Sequence, residues 1–190
     1  MKLDKTFWES QYTNQRTGWD IGGISPQLQV YFEQIPNKSK KILIPGCGNG
    51  YEAIWLAQNG FLDVTVVDLA AIPLAHVQEQ APTVKTIQGD FFDLTDTYDL
   101  IIEQTFFCAL NPNLRKQYVE KMANLLQPKG KLAGLLFNID FEKVGPPFGG
   151  SIAEYQGLFE GLFEILTLAP SLLSIKPRLG SEAFFEFQKK

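Results

Sequence analysis

The short apolar run Ile42–Pro45 leads directly into Gly46-Cys47-Gly48-Asn49-Gly50. No other feature of the chain limits its fold as much. Three glycines at alternate positions allow a tight turn and let the backbone approach a ligand closely, because no Cβ stands in the way. Beyond the turn, Ala53, Ile54, Trp55, Leu56 and Ala57 read as a helix, and Asn59-Gly60 gives it a C-terminal stop. Val64-Thr65-Val66-Val67, rich in β-branched residues and closed by Asp68, is the next strand. A strand, a glycine turn, a helix and a second strand form a parallel crossover unit.

The alternation continues. A weaker helix spans about Pro73–Gln80, a third strand Val84–Gln88 ends at Gly89-Asp90, and a fourth, Leu100–Ile102, ends at Glu103. Leu114, Tyr118, Val119, Met122, Leu125 and Leu126 recur mostly at helical spacing, and Pro128-Lys129-Gly130 is expected to end that helix before a fifth strand over Lys131–Asn138. Ser151 and Glu154 form a capping-box pattern ahead of the face Ile152, Tyr155, Leu158, Phe159 and Leu162. Two extended segments, about Ile165–Ile175 and Ala183–Phe187, close the chain. This order predicts an α/β, doubly wound, mostly parallel sheet covered on both faces, which its unalternating apolar strands fit. In such sheets ligands sit beyond the C-terminal strand ends. Those ends hold Gly46–Gly50, Asp68, Asp90-Phe91, Glu103–Phe107 and the loop after Asn138.

Composition narrows the partners. With 190 residues, 45% hydrophobic and 20% charged, the expectation is one globular domain over 1–190. A net charge of −4 argues against nucleic acid as the main partner. Cys47 and Cys108 cannot build a disulfide framework, and with His76 as the single histidine no zinc set exists, so no metal is expected. Met1–Trp8 lacks the apolar core of a secretory signal, and no run approaches the length of a membrane span. A cytoplasmic monomer that acts on a small molecule, with no membrane partner, is the expectation. Fifteen Phe fit either a Phe-heavy core or a ring-lined pocket.

The strand ends carry the chemistry. A carboxylate at Asp68 can accept two hydrogen bonds from a ribose diol, and with the glycine turn it points to an adenosine-containing ligand. A dinucleotide fingerprint needs a third glycine where Tyr51 stands, so the pattern suits S-adenosylmethionine better than a pyrophosphate. At Gly89-Asp90-Phe91 a carboxylate and a backbone N–H could read an adenine edge. The plain alternatives are a helix N-cap for Asp68 and a turn residue for Asp90; their joint placement favours the ligand. Phe106, Phe107 and Phe148 line an acceptor pocket or belong to the core. Cys47 and Cys108 fit as small fillers rather than nucleophiles. No convincing general base is present. Asp20 is the nearest candidate for organising a thiol or a water, with a structural hydrogen bond as its alternative.

Four stretches resemble a known family: Phe7-Trp8-Glu9 with Thr17-Gly18-Trp19-Asp20; Ile44-Pro45-Gly46-Cys47-Gly48-Asn49-Gly50; Glu103-Gln104-Thr105-Phe106-Phe107-Cys108-Ala109-Leu110 with Pro112; and Gly145-Pro146-Pro147-Phe148. From about residue 6 to 165 the chain is similar to the thiopurine S-methyltransferase superfamily, and within it to the thiol/halide methyltransferases. The resemblance implies a class I, Rossmann-like sheet of seven strands with an antiparallel last strand, and S-adenosyl-L-methionine as cofactor. Phe7, Trp8, Tyr12 and Trp19 are too many rings for a free tail, so an N-terminal helical lid is expected over residues 1–24, with rings that pad the sheet as the alternative. The resemblance also implies that Trp8, Tyr12 and Trp19 form an aromatic lid and that Gly46, with Gly48 and Gly50, meets the methionine end. Asp68, with Leu69, would hold the ribose, Asp90 and Phe91 the adenine, and Glu103 and Gln104 would lie beside the sulfonium. The implied reaction is in-line displacement at the methyl carbon by a small soft nucleophile, a thiol, bisulfide or halide, with Asp20 and Gln104 as the catalytic candidates. Thiopurine enzymes often have Arg where this chain has Gln104, which points away from a thiopurine acceptor. The alternatives are a thiopurine-type enzyme and a non-catalytic S-adenosylmethionine-binding module.

Overall fold

In the computed structural model, which describes residues 2–142 and 144–190, the expected alternation is laid out in full. The helices are α1 (Lys5–Thr13), α2 (Pro26–Glu33), α3 (Tyr51–Gln58), α4 (Ala71–Gln80), α5 (Arg115–Leu125) and α6 (Ile152–Phe159). The strands are β1 (Lys41–Pro45), β2 (Asp63–Asp68), β3 (Lys85–Gln88), β4 (Tyr98–Gln104), β5 (Leu126–Phe137), β6 (Phe163–Pro170) and β7 (Glu182–Lys189). The seven strands make the expected mixed α/β sheet, and they fall into two compact units, residues 1–94 and 95–190.

In the first unit β1, β2 and β3 run parallel, with β2 in the middle. Ile42–Pro45 and Val64–Val67 are buried, as strands covered on both faces require. Burying each such aliphatic side chain stabilises the fold by roughly 1.5–3 kcal/mol. The Ile44↔Val66 and Pro45↔Val67 register leaves the Gly46 N–H free to donate to the Val67 carbonyl at 2.8 Å. The glycine turn is therefore an extension of the β1–β2 ladder. Gly50 sets the start of α3: its φ is +69°, and a Cβ there would collide with the Val77 side chain of α4.

In the second unit β4 pairs parallel with β5, and β7 is antiparallel to both β5 and β6, which it separates. Much of the phenylalanine is accounted for here. Phe159, Phe163, Phe185 and Phe187 are buried and stack on one another, with Phe185–Phe187 centroids 4.6 Å apart and Phe159–Phe187 4.8 Å.

Two boundaries and one helix cap differ from the sequence expectation. Pro128-Lys129-Gly130 does not separate helix from strand. The chain passes from α5 into β5 at Leu126, and the pairing jumps from Tyr98↔Leu126 to Leu100↔Lys131, so these residues form an irregularity inside the strand. Lys129 there has φ +63°, and a Cβ on Gly130 would lie 2.9 Å from the Gln127 carbonyl oxygen. The segment expected to be extended over 165–175 ends at Pro170, because a buried Arg178–Glu182 ion pair and the Ser171 N–H on the Glu182 carbonyl fold the connection back. The capping box is half made. Ser151 Oγ accepts from the Glu154 N–H, but the Glu154 carboxylate pairs with Arg115 instead of reciprocating.

No helix among the described residues is long and apolar enough to cross a membrane, and no cluster of three or more His, Cys, Asp or Glu could hold a metal ion.

Candidate functional site

All three turn glycines have left-handed backbone, at φ +57° for Gly46, +53° for Gly48 and +69° for Gly50. Asp68, at the C-terminal end of β2, reaches back to this turn. Its Oδ2 accepts from the Gly48 N–H at 3.2 Å and its Oδ1 from the Ala70 N–H at 2.9 Å. The α4 N-cap is Ala70, so Asp68 is not the helix cap that a plain reading allowed. Burial pushes the Asp68 carboxyl above its ordinary value, with the N–H bonds from Ala70, Gly48 and Leu69 pulling back. A carboxylate oxygen can accept more than one hydrogen bond, so both oxygens can still serve a diol.

The N-terminal segment closes over the same turn. Asp4 caps α1 by accepting from the Phe7 N–H, and Glu9 accepts from the Ala71 N–H at 2.8 Å, which ties α1 to the start of α4. Trp8 and Tyr12 each meet Trp19 edge-on, at 5.5 and 5.7 Å between centroids. A Cβ on Gly48 would lie 3.5 Å from the Tyr12 hydroxyl and 3.9 Å from Trp19 Nε1. The three expected lid rings and the glycine turn are thus brought together, and the bare Gly48 backbone faces aromatic edges. Burial, and after it the Asp68 charge, push the Tyr12 phenol upward.

Asp20 is exposed and occupied. Its Oδ1 accepts from the Gly22 N–H at 2.7 Å, and its Oδ2 from Asn49 Nδ2 at 2.6 Å and the Tyr51 hydroxyl at 3.3 Å. It clamps the N-terminal segment to the glycine turn, which is the structural alternative considered for it. Sequence reasoning missed Glu9, Asn49 and Tyr51 as clamp residues. Their partners are distant in the chain, and no local spacing signals them. Asp90 is exposed, accepts from the Phe92 N–H at 2.9 Å and caps the short turn Phe91–Asp93, in which Phe91 is buried. Leu69 is half-buried and accepts from Gln88 Nε2 through its carbonyl.

In the second unit, the end of β4 corrects two expectations. Glu103 is 0% exposed. Its Oε1 accepts from the Phe106 and Phe107 N–H groups, both at 2.8 Å, and its Oε2 from the Tyr118 hydroxyl at 2.6 Å. The side chain expected beside a ligand is instead turned inward, where it braces its own loop. It fits there because β5 offers Gly134, whose Cβ would collide with the Glu103 backbone. Burial pushes the Glu103 carboxyl up to about 7, although all three hydrogen bonds favour the ionised form. Phe107, expected in a pocket wall, is core: it is 1% exposed and meets Tyr118 and Tyr155 edge-on at 5.0 and 5.7 Å.

Gln104, Phe106 and Phe148 are half-buried. Gln104 Oε1 is buried without a hydrogen-bond partner among the described residues. The Phe148 N–H donates to the Cys108 carbonyl at 2.7 Å, which holds the second aromatic loop against the turn after β4. Thr105 between them has φ +58°, an unusual conformation for a β-branched residue. Cys47 and Cys108 are buried, and burial pushes both thiols upward, which suits fillers and not nucleophiles.

Residues 3–189 match the family described as Thiopurine S-methyltransferase (TPMT). A probable thiol methyltransferase 2 of Arabidopsis thaliana is 30% identical over 191 residues, covering 96% of this chain and 84% of that protein. A thiocyanate methyltransferase 1 of Brassica oleracea is 25% identical, with coverages of 96% and 84%. Among solved structures, the Burkholderia thailandensis 1,6-didemethyltoxoflavin-N1-methyltransferase, crystallised with S-adenosylhomocysteine, superposes with a TM-score of 0.77 at 18% identity, over 98% of this chain and 87% of that one.

Proposed function

Because the chain belongs to the thiopurine S-methyltransferase family, we propose that it methylates a small soft nucleophile, a thiol or bisulfide first and a halide or thiocyanate second. The enzyme is an S-adenosylmethionine-dependent methyltransferase. The observation that carries the reading is the joint placement of Asp68, the left-handed glycine turn, and Tyr12 and Trp19 beside Gly48, with Trp8 packed on Trp19.

These residues fit the cofactor. Asp68 has acceptor capacity for a ribose diol, and hydrogen bonds to a charged group contribute about 1.5–3 kcal/mol each. The bare backbone at Gly46 and Gly48 admits a ligand where any side chain would block it. Trp8, Tyr12 and Trp19, packed edge-on against one another beside the turn, are assigned to cover the cofactor, and a ring face turned to its cation would contribute roughly 0.5–2 kcal/mol. When bound, S-adenosylmethionine supplies a methyl group that is already a good electrophile. The chain's own task is then to bind, align and exclude water. Alignment alone can contribute about 7–11 kcal/mol.

A thiolate, bisulfide or halide needs no strong base, in keeping with cysteines that are held protonated and an Asp20 that is engaged in a clamp. Gln104, with Phe106 and Phe148, is assigned to the acceptor side; its buried amide oxygen can take a hydrogen bond from an S–H. Asp90 and Phe91 are assigned to the adenine.

The test is release of S-adenosylhomocysteine with a panel of thiols, bisulfide, iodide and thiocyanate. Turnover with the sulfur nucleophiles supports the reading. Methylation of an amine or a nucleic acid alone would refute it.

A further inference from the structure

Glu103, next to last in β4, is fully buried, and two of its three hydrogen bonds brace the turn that follows the strand. Oε1 gathers the N–H groups of Phe106 and Phe107, and Oε2 takes the Tyr118 hydroxyl from α5. Between the carboxylate and the gathered N–H groups stands Thr105 at φ +58°. A left-handed L residue costs roughly 1–2 kcal/mol, and a β-branched one is rarely seen there. Such a conformation persists only where its surroundings over-determine it. Here they do so from both ends: the carboxylate fixes the two N–H groups beyond Thr105, and the Cys108 thiol donates to the Thr105 carbonyl at 3.4 Å. Gln104 and Phe106 flank Thr105, so their direction depends on this turn.

We propose that Glu103 is a positioning residue: its ionised carboxylate holds the Gln104–Phe107 turn in its left-handed form, and thereby fixes the acceptor-side groups Gln104 and Phe106 without itself touching a ligand. The inference rests on the methyl-transfer reading for its catalytic consequence and on geometry alone for its structural one.

Two features make the carboxylate a gate rather than a fixed strut. A proton on it weakens it as an acceptor for the two N–H groups, because charge-assisted hydrogen bonds are about twice as strong as neutral ones. Its proton also comes off near neutrality, at about 7. The groups facing it are Tyr118 from α5, Cys108 from its own turn and Tyr155 from α6, each with burial raising its pKa, so none of them ionises in that range. Gly134 of β5 brings no side chain. Arg115, the cation over the Phe107 ring at 4.9 Å, is paired with Glu154.

The experiment follows the Phe106 and Phe107 amides by nitrogen–proton NMR from mildly acidic to mildly alkaline pH. It is joined to turnover with iodide or thiocyanate, whose own charge does not change over that range. In the wild type both amides move with one shared midpoint near neutrality, and kcat/KM for the acceptor rises with the same midpoint. Tyr118→Phe removes a hydrogen bond that favours the ionised form, so it raises that midpoint. Glu103→Gln abolishes the amide titration and the acid limb, and lowers kcat/KM for the acceptor by about tenfold or more, as a misplaced reacting group should. Its S-adenosylmethionine affinity stays within about twofold, since the proposal places no cofactor contact on Glu103. If Glu103→Gln fails to fold, the midpoint shift in Tyr118→Phe carries the test. Amides that do not titrate, a titration unchanged in Tyr118→Phe or in a folded Glu103→Gln, or equal loss of cofactor and acceptor binding would overturn the assignment. A wild type whose amides titrate as expected but which turns over no acceptor would overturn the methyl-transfer reading and leave the turn assignment standing.

Discussion

Gly50 and Gly60 both have left-handed backbone, at φ +69° and +83°, yet they should respond differently to alanine. At Gly60 nothing lies within 4 Å of an added Cβ, so the cost is conformational, roughly 1–2 kcal/mol. At Gly50 the added Cβ also meets Val77, and overpacking adds about 1–3 kcal/mol. Urea unfolding should therefore rank Gly50→Ala below Gly60→Ala; equal losses would contradict the close approach of α4. Asp68→Ala should weaken S-adenosylmethionine binding by about 2–4 kcal/mol, read by calorimetry, through loss of two diol hydrogen bonds. Unchanged affinity would remove Asp68 from the site. The placement of Asp68 beside the glycine turn was legible in the sequence because the strand it ends pairs with the strand that enters the turn. Glu103 stood at the equivalent place on β4 and was misread. Spacing cannot tell which way a strand-end carboxylate turns, and Tyr118, which draws it inward, was visible only as a member of a helical apolar face.

The helix α1 buries none of its residues completely, and it is held by the Glu9–Ala71 hydrogen bond and the ring contacts with Trp19. An element attached so lightly adds little to the core but covers the glycine turn. Deleting residues 1–20 should abolish turnover and weaken cofactor binding while sparing most of the thermal stability of the cofactor-free protein. An unfolded truncation product, or one with full activity, would contradict a lid. The density of rings before the first strand made this segment legible as something other than a tail. The clamp that holds it, Asp20 on Asn49 and Tyr51, was not legible, because its partners come from a different element. The α5–β5 junction was misjudged for a related reason. Pro128 and Gly130 break local regularity, but the ladder with β4 resumes at Lys131 and carries the strand across them.

Across the whole molecule, the strand–helix alternation was readable from apolar runs and glycine stops, whereas the placement of β7 between β5 and β6 depends on pairings between distant residues. Glu103 links the fold to pH. Its carboxyl is raised from 4.5 to about 7 in the native state, so between those values the folded protein holds a proton that the unfolded chain has released. Stability from this group is therefore full below about 4.5, falls as pH rises towards 7 and is flat beyond, a change on the order of 3 kcal/mol for a fully buried group. Glu103→Gln should remove this component of the pH dependence of urea unfolding, and a difference profile that rises with pH would contradict the assignment. The ionised form thus costs stability while it secures the turn after β4.

The most direct test of the account is the product formed when the protein is incubated with S-adenosylmethionine and the panel of small nucleophiles. S-adenosylhomocysteine should appear together with the methylated thiol or methanethiol, and Asp68→Ala should suppress both. Tight NADH binding without S-adenosylmethionine binding, or methyl transfer to amines or nucleic acid alone, would contradict it.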